Sequence, residues 1–415
     1  MTRSSSLLAA ALLGLGSVAG AQKLTDAPAL ADYYRRGGTA VTVIGNYVYL
    51  DGGELSQVVD GKPPSNQSYI SNMMNSTISI DLSKSWTTSS ASLHLIPRPW
   101  PSKSNQAIWT DPSAGVFYAW GGKWIRGVNM SENALMKFTP DNRGGGAWAE
   151  EPPANPDLFK SLHQSEWGAY ANTADTGFLI GGLASGWTEY RRAQTQVLPG
   201  MVAFNMKSKT WHNGTAGFSP FDTLNGAAAH FVPNMGPNGL VMVFGGVELP
   251  VVGANPDWES APAFDLRNLT FFDPATNKKY WQVTTGSVPP TPRIQTCVAG
   301  FRNQEGGYEI ILTGGNNRRD KIVYDDTYIL SLPGFVWTRV ADSPAGKRMS
   351  ASCVAVGKRQ MLSVGGTRTD WTNRDPAPQG LLLFDMTEMK WKDEYDANAA
   401  EYQRSEDIGR WYKNG

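Results

Sequence analysis

Tyr47-Val48-Tyr49-Leu50-Asp51-Gly52-Gly53 is the stretch from which the fold can be read. An apolar, aromatic run leads through an aspartate into two consecutive glycines. The same ending closes the runs at 116–122, 178–182, 240–246, 310–315 and 361–366, so the first glycine of each pair falls at 52, 121, 181, 245, 314 and 365. Each run reads as a short strand. Gly-Gly lets the chain take positive φ and lets another backbone come close. A variable stretch follows each pair, and then a β-rich run that ends at a tryptophan: Trp86, Trp148, Trp211, Trp281, Trp337 and Trp391. Inside these runs Asp81-Leu82-Ser83-Lys84, Asn205-Met206-Lys207-Ser208 and Asp385-Met386-Thr387 have the composition of tight turns. Each unit therefore predicts four short antiparallel strands, A to D, with Gly-Gly ending strand B and the tryptophan opening strand D. One such sheet cannot bury both of its faces alone. The units must stack, and closing them into a ring protects the terminal ones. The expectation is an all-β, six-bladed β-propeller over residues 39–391, preceded by an N-terminal segment at 22–38 and followed by a tail at 392–415. Each tryptophan is expected to wedge between neighbouring blades, and the ring to close without strand exchange.

Gly-Gly after an apolar strand, then an aromatic strand, a turn and Trp, resembles the kelch signature. From about Tyr34 to Trp391 the chain is similar to secreted kelch-repeat proteins of filamentous fungi, within the kelch and galactose-oxidase-like propeller superfamily. Tyr34-Arg35-Arg36, the stretch from Tyr47 to Glu54, and Asp325 to Pro333 look like that group in particular. Many of its members continue into a transmembrane helix after the propeller. That leaves two alternatives, a soluble protein or the ectodomain of an anchored one.

The first twenty-one residues read as a signal peptide: Arg3 supplies a charge, Leu7 to Leu15 an apolar run, and Ala19-Gly20-Ala21 a small-residue cleavage site before Gln22. The apolar run is well short of the roughly 20 residues that span a bilayer. Secretion, with association to a cell surface or wall, is the expected localisation. Export gives meaning to five Asn-x-Ser/Thr sequons, at Asn66, Asn75, Asn129, Asn213 and Asn268. Lys and Arg number 37 against 37 Asp and Glu, so nothing in the charge selects nucleic acid or an acidic membrane. The expected partner is an extracellular protein or a glycan, met by a monomer.

In a four-stranded blade the B–C and D–A connections share one face of the disc. Here the B–C stretches are long, and long loops in a compact domain are usually functional. Trp124, Arg126, Trp187, Tyr190, Arg191, Arg192, Arg318, Arg319, Arg368 and Trp371 follow the glycine pairs, and Trp258 lies further along its own loop. Flat aromatics beside cationic donors suit a sugar ring or an anion. The alternative is that the tryptophans brace the loops while the arginines pair with carboxylates. Arg293 and Arg348, just before two A strands, are candidate caps of the central channel.

Catalytic patterns are not found. Copper-radical oxidases of the galactose oxidase type imply two His and two Tyr ligands, and His94, His163, His212 and His230 stand in no such motif. Plant kelch specifier proteins imply Glu-x-x-x-Asp-x-x-x-His, which no histidine here completes. No cofactor and no metal are expected. His230, Cys297 and Cys353 hold similar places in three adjacent A strands. A metal site, a Cys297–Cys353 disulfide and two buried thiols are the alternatives there. The reading is a secreted, glycosylated binding or scaffold module. An enzyme of small-molecule metabolism, with its pocket at the channel mouth, is the alternative.

Overall fold

The computed structural model describes residues 24–414 apart from 66–70, 125–132, 190–191, 193, 252–256 and 369. The signal-peptide reading and the candidates Arg126, Tyr190, Arg191, Asn66 and Asn129 lie outside the described residues. Six antiparallel meanders of four strands follow one another among those described. Sheet I joins Ala40–Ile44, Tyr47–Asp51, Ser76–Asp81 and His94–Pro97. Sheet II joins Ala107–Asp111, Val116–Trp120, Met136–Pro140 and Gly146–Glu150. Sheet III is built from Ala169–Asn172, Thr176–Ile180, Met201–Asn205 and Thr210–Gly214. Sheet IV comprises Ala228–Val232, Leu240–Phe244, Asn268–Phe272 and Lys279–Val283. In sheet V Thr285–Gly286 adds a parallel fifth strand to Cys297–Arg302, Tyr308–Thr313, Thr327–Leu332 and Val336–Arg339. Ser352–Val356, Gln360–Val364, Leu381–Asp385 and Lys390–Lys392 make sheet VI.

The first strand of each sheet touches the first strand of the next, and that of sheet VI touches that of sheet I. A separate apolar core lies at each junction. Tyr49 meets Phe117 and Trp148 between I and II, Trp120 meets Trp211 between II and III, and Leu50 meets Leu383 between I and VI. Period-2 alternation thus serves two neighbours at once, alternate residues of each strand facing the sheets on either side.

The glycine pairs fasten these junctions. Their first φ runs from +61° to +74° and their second from +80° to +99°. The second N–H donates to a carbonyl of the next sheet's entry: Gly53 to Lys103, Gly122 to Ser165, Gly182 to Leu224, Gly246 to Arg293 and Gly315 to Arg348, at 2.8–3.0 Å. A Cβ on the first glycine would press on the same carbonyl, and on Gly365 it would press on that of Arg36. That repeats the contact across the junction of sheets VI and I.

Two expectations need correction, the placement of the tryptophans and closure without strand exchange. Trp211 and Trp337 are fully buried and Trp148 nearly so, but Trp281 is 72% exposed. The register of sheet IV sets Lys279 opposite Phe272, where sheet III has Trp211 opposite Phe204. Trp281 falls two residues further on, opposite Thr270 and past the core. Trp86 does not open the fourth strand of sheet I; that strand is His94–Pro97, and the chain between makes an excursion. Closure also uses strand pairing: Glu394–Tyr395 of the tail pairs with Trp86–Thr87, and the Trp86 and Tyr395 rings stack at 5.2 Å. The N-terminal Tyr33–Gly37 pairs instead with Glu54–Gln57. From it Arg35, buried, donates to the carbonyls of Gly366 and Asn373 in sheet VI's loop. The face of short turns is partly covered. The tail returns over it, Arg404 pairs with buried Glu309 at 2.8 Å, and Tyr412 of the helix Glu406–Asn414 accepts the Gly334 N–H.

Candidate functional site

The face of B–C and D–A connections is organised around a ring of six residues in left-handed conformation: Gly38, Asn105, Trp167, Gly226, Gln295 and Ser350, at φ +54° to +72°. Each stands two residues after the carbonyl that receives a glycine pair. Backbone bonds run round the ring: Asn105 N–H to Gly38, Gly226 to Trp167, Gln295 to Gly226, Ser350 to Gln295 and Gly38 to Ser350, at 2.6–3.3 Å. These residues surround a mouth of about 100 Å³. Beneath it the first strands enclose a cavity of about 500 Å³. Only glycine is light enough for a positive φ at no cost, so Trp167 there is a held conformation.

What holds Trp167 is also what makes the mouth chemically distinct. The Arg318 guanidinium lies 5.7 Å from the Trp167 ring and 5.0 Å from the Trp258 ring, and the Lys123 ammonium lies 5.3 Å from Trp167. Glu166, nearly buried, pairs with Lys123 at 3.3 Å. Burial raises the Glu166 carboxyl pKa, with Lys123 opposing it; burial lowers that of Arg318, with Glu166 opposing it. Cations over indole faces in a half-dry site interact more strongly than in water. Trp167 was missed in the sequence because no local pattern marks it. Its position two residues after Ser165, matching Gly38 and Gly226, is the signal that aligning the six units by their entries would have given.

The other candidates scatter. Trp187 is 45% exposed, and its carbonyl accepts the N–H of Trp124, which is buried. Arg192 is engaged by Glu189 at 2.7 Å and by Gln196. Arg319 donates to the Glu259 carbonyl and Arg368 is exposed. Trp371 is half-buried, its ring packed over Gly37. Arg293 and Arg348 are buried in ion pairs with Asp326 and Asp375, at 2.7 and 2.9 Å, and each also donates to the carbonyl of a first repeat glycine. They fix B–C loops to the ring, and their guanidinium ends are taken up there. Cys297 and Cys353 are joined by a disulfide between the first strands of sheets V and VI, with Cα atoms 5.4 Å apart. His230 is half-buried on the wall of the channel cavity, bonded to the Tyr308 hydroxyl at 2.8 Å, and desolvation there lowers its pKa to about 4. Among the described residues no group of three or more His, Cys, Asp or Glu is placed to hold a metal ion. Of the sequons, Asn75, Asn213 and Asn268 are exposed.

No family model matches the chain. A kelch repeat-containing protein of Arthroderma benhamiae is 24% identical over 365 residues, covering 77% of this chain and 52% of that protein. The chain is thus similar to a kelch repeat-containing protein over most of its own length. It spans about half the length of that curated relative. Among solved structures YjhT superposes with a TM-score of 0.56 at 12% identity, over 89% of this chain and 99% of that one. The likeness shows the fold alone, an all-β architecture of the kelch propeller type. No described helix is long and apolar enough to cross a membrane.

Proposed function

We propose that the chain is a six-bladed kelch propeller that works outside the cell as a binding or scaffold module, holding a protein or a glycan on its long-loop face. The observation that carries this reading is the Arg318 guanidinium between Trp167 and Trp258, beside the channel mouth. Planar cation and indole faces together form a platform for a sugar ring or an anionic side chain. The opposite face has short turns and is partly occupied by the chain's own tail. The closed circuit of first-strand contacts supports six blades. The leader pattern at 1–21 and the exposed Asn75, Asn213 and Asn268 support export and glycosylation.

The test uses a glycan array and a panel of secreted proteins, probed with the wild type, Arg318→Ala and Trp258→Ala. A ligand of the wild type should lose about 1–3 kcal/mol with either change, as hot-spot aromatics and arginines do. A ligand indifferent to both, but lost on substitutions in the short turns, would overturn the reading. Export is checked separately. The mature N-terminus should be Gln22, and glycosidase should increase gel mobility; a retained Met1 would contradict it.

A further inference from the structure

A second cavity, of about 180 Å³, opens on the same face at the junction of sheets I and II. Its wall carries the ammonium of Lys103, a residue only 9% exposed. That ammonium rests on the side-chain oxygen of Gln164 and lies 4.8 Å from the Trp124 ring centre. Among the described residues it forms no ion pair with a carboxylate. The acid whose charge reaches it, Glu189, is taken by Arg192 at 2.7 Å and by the Gln164 N–H at 2.8 Å, and Asp51 is taken by Arg98 at 2.5 Å, with Gln106 and Thr77 donating to it as well. Two further donors are buried here without an acceptor, the Trp124 indole N–H and the Arg98 Nε–H. Of the wall's two side-chain amides, Asn133 Oδ1 already receives the Trp120 indole N–H at 2.8 Å, and Gln106 is turned to Asp51 by its own N–H. Trp100, 39% exposed, stands at the rim beside Glu150, itself exposed.

A buried ammonium with only a neutral oxygen for company, and orphaned N–H groups beside it, costs free energy unless an anion completes the set. We propose that this cavity is a binding site for a small ring bearing a carboxylate, with Lys103 and the Trp124 N–H taking the acid group and Trp100 covering the ring. The volume favours a single ring, being below the roughly 300–1,000 Å³ of drug-sized sites. Burial, reinforced by Arg98 and opposed by Glu189, brings the Lys103 pKa down to about 7. The site is therefore strongest where Lys103 is protonated, below neutral pH. Arg98, Glu189 and, at the rim, Glu150 are the charged groups that face it. The pocket is distinct from the Arg318 cluster, so its failure would leave the proposed function standing, and the reverse.

Benzoate and glucuronate, each beside its neutral counterpart (benzyl alcohol and glucose), can be titrated by calorimetry into the full chain at pH 6 and pH 8.5. At least one acid should bind ten-fold or more tighter than its counterpart at pH 6, and more weakly at pH 8.5. Whichever acid wins tells an aromatic ring from a sugar. Lys103→Met should abolish the preference, and Trp124→Phe, which keeps the ring and loses only the N–H, should weaken it several-fold. Acids that bind no better than their neutral counterparts would overturn the proposal. So would an affinity unchanged in a folded Lys103→Met, or in a folded Trp124→Phe should the first variant fail to fold.

Discussion

His230 and the pair of tryptophans on sheets III and IV show what single positions decide. His230 lies against Gly300, where any Cβ would collide with the imidazole, and its pKa is lowered from 6.5 to about 4 by burial. The unfolded chain therefore takes up a proton near pH 6.5 that the folded one refuses until about pH 4. The stability that the neutral ring contributes is complete above pH 6.5 and is lost as pH falls toward 4, on the order of 3 kcal/mol in all. Urea midpoints at pH 7 and pH 4.5 should fall further for the wild type than for His230→Phe; equal losses would show that this histidine does not titrate in that window. Trp211 and Trp281 read in the sequence as the same place in the repeat, but Trp281 falls two residues past it, and the environments of the two are opposite. Trp211→Ala should cost about 3–5 kcal/mol, as large core truncations do, while Trp281→Ala should stay within about 0.5 kcal/mol. Comparable losses for the two would mean that the register of sheet IV has been misread.

At the scale of strands and loops, the repeat was legible where the chemistry is local and obscure where it is not. Gly-Gly announces itself, because positive φ and close backbone approach admit few other residues. The tryptophan rule was legible in kind and failed in register: nothing local says that Lys279 and not Trp281 faces Phe272. Arg293 and Arg348 looked like channel caps from their spacing, yet the acids that engage them lie 33 and 27 residues further along the chain. Trp86 misled for a similar reason, since its partner is Tyr395 at the far end of the chain. The loops carry a paired prediction. Trp187 is exposed and Trp371 packs over Gly37, so Trp371→Ala should lower the melting temperature by several degrees while Trp187→Ala leaves it nearly unchanged. Thermal melts of both variants decide it. An equal drop would make Trp187 a brace as well.

For the molecule as a whole, the ring has two faces of different character and three devices across its closing junctions. Arg35 ties the N-terminal strand to sheet VI, the tail strand ties the C-terminal end to sheet I, and the Cys297–Cys353 disulfide ties sheet V to sheet VI. A disulfide suits an exported protein. Such cross-links brace the disc, and the proposed function gives recognition to the loops and to the platform at the channel mouth. That division of labour is the central claim. Hydrogen–deuterium exchange, run with and without whichever glycan or secreted protein the wild type captures, tests it most directly. Protection should appear in 183–189, 257–268 and 316–326, around Arg318, and leave the short turns unchanged. Protection confined to the short turns and the C-terminal helix would contradict the account.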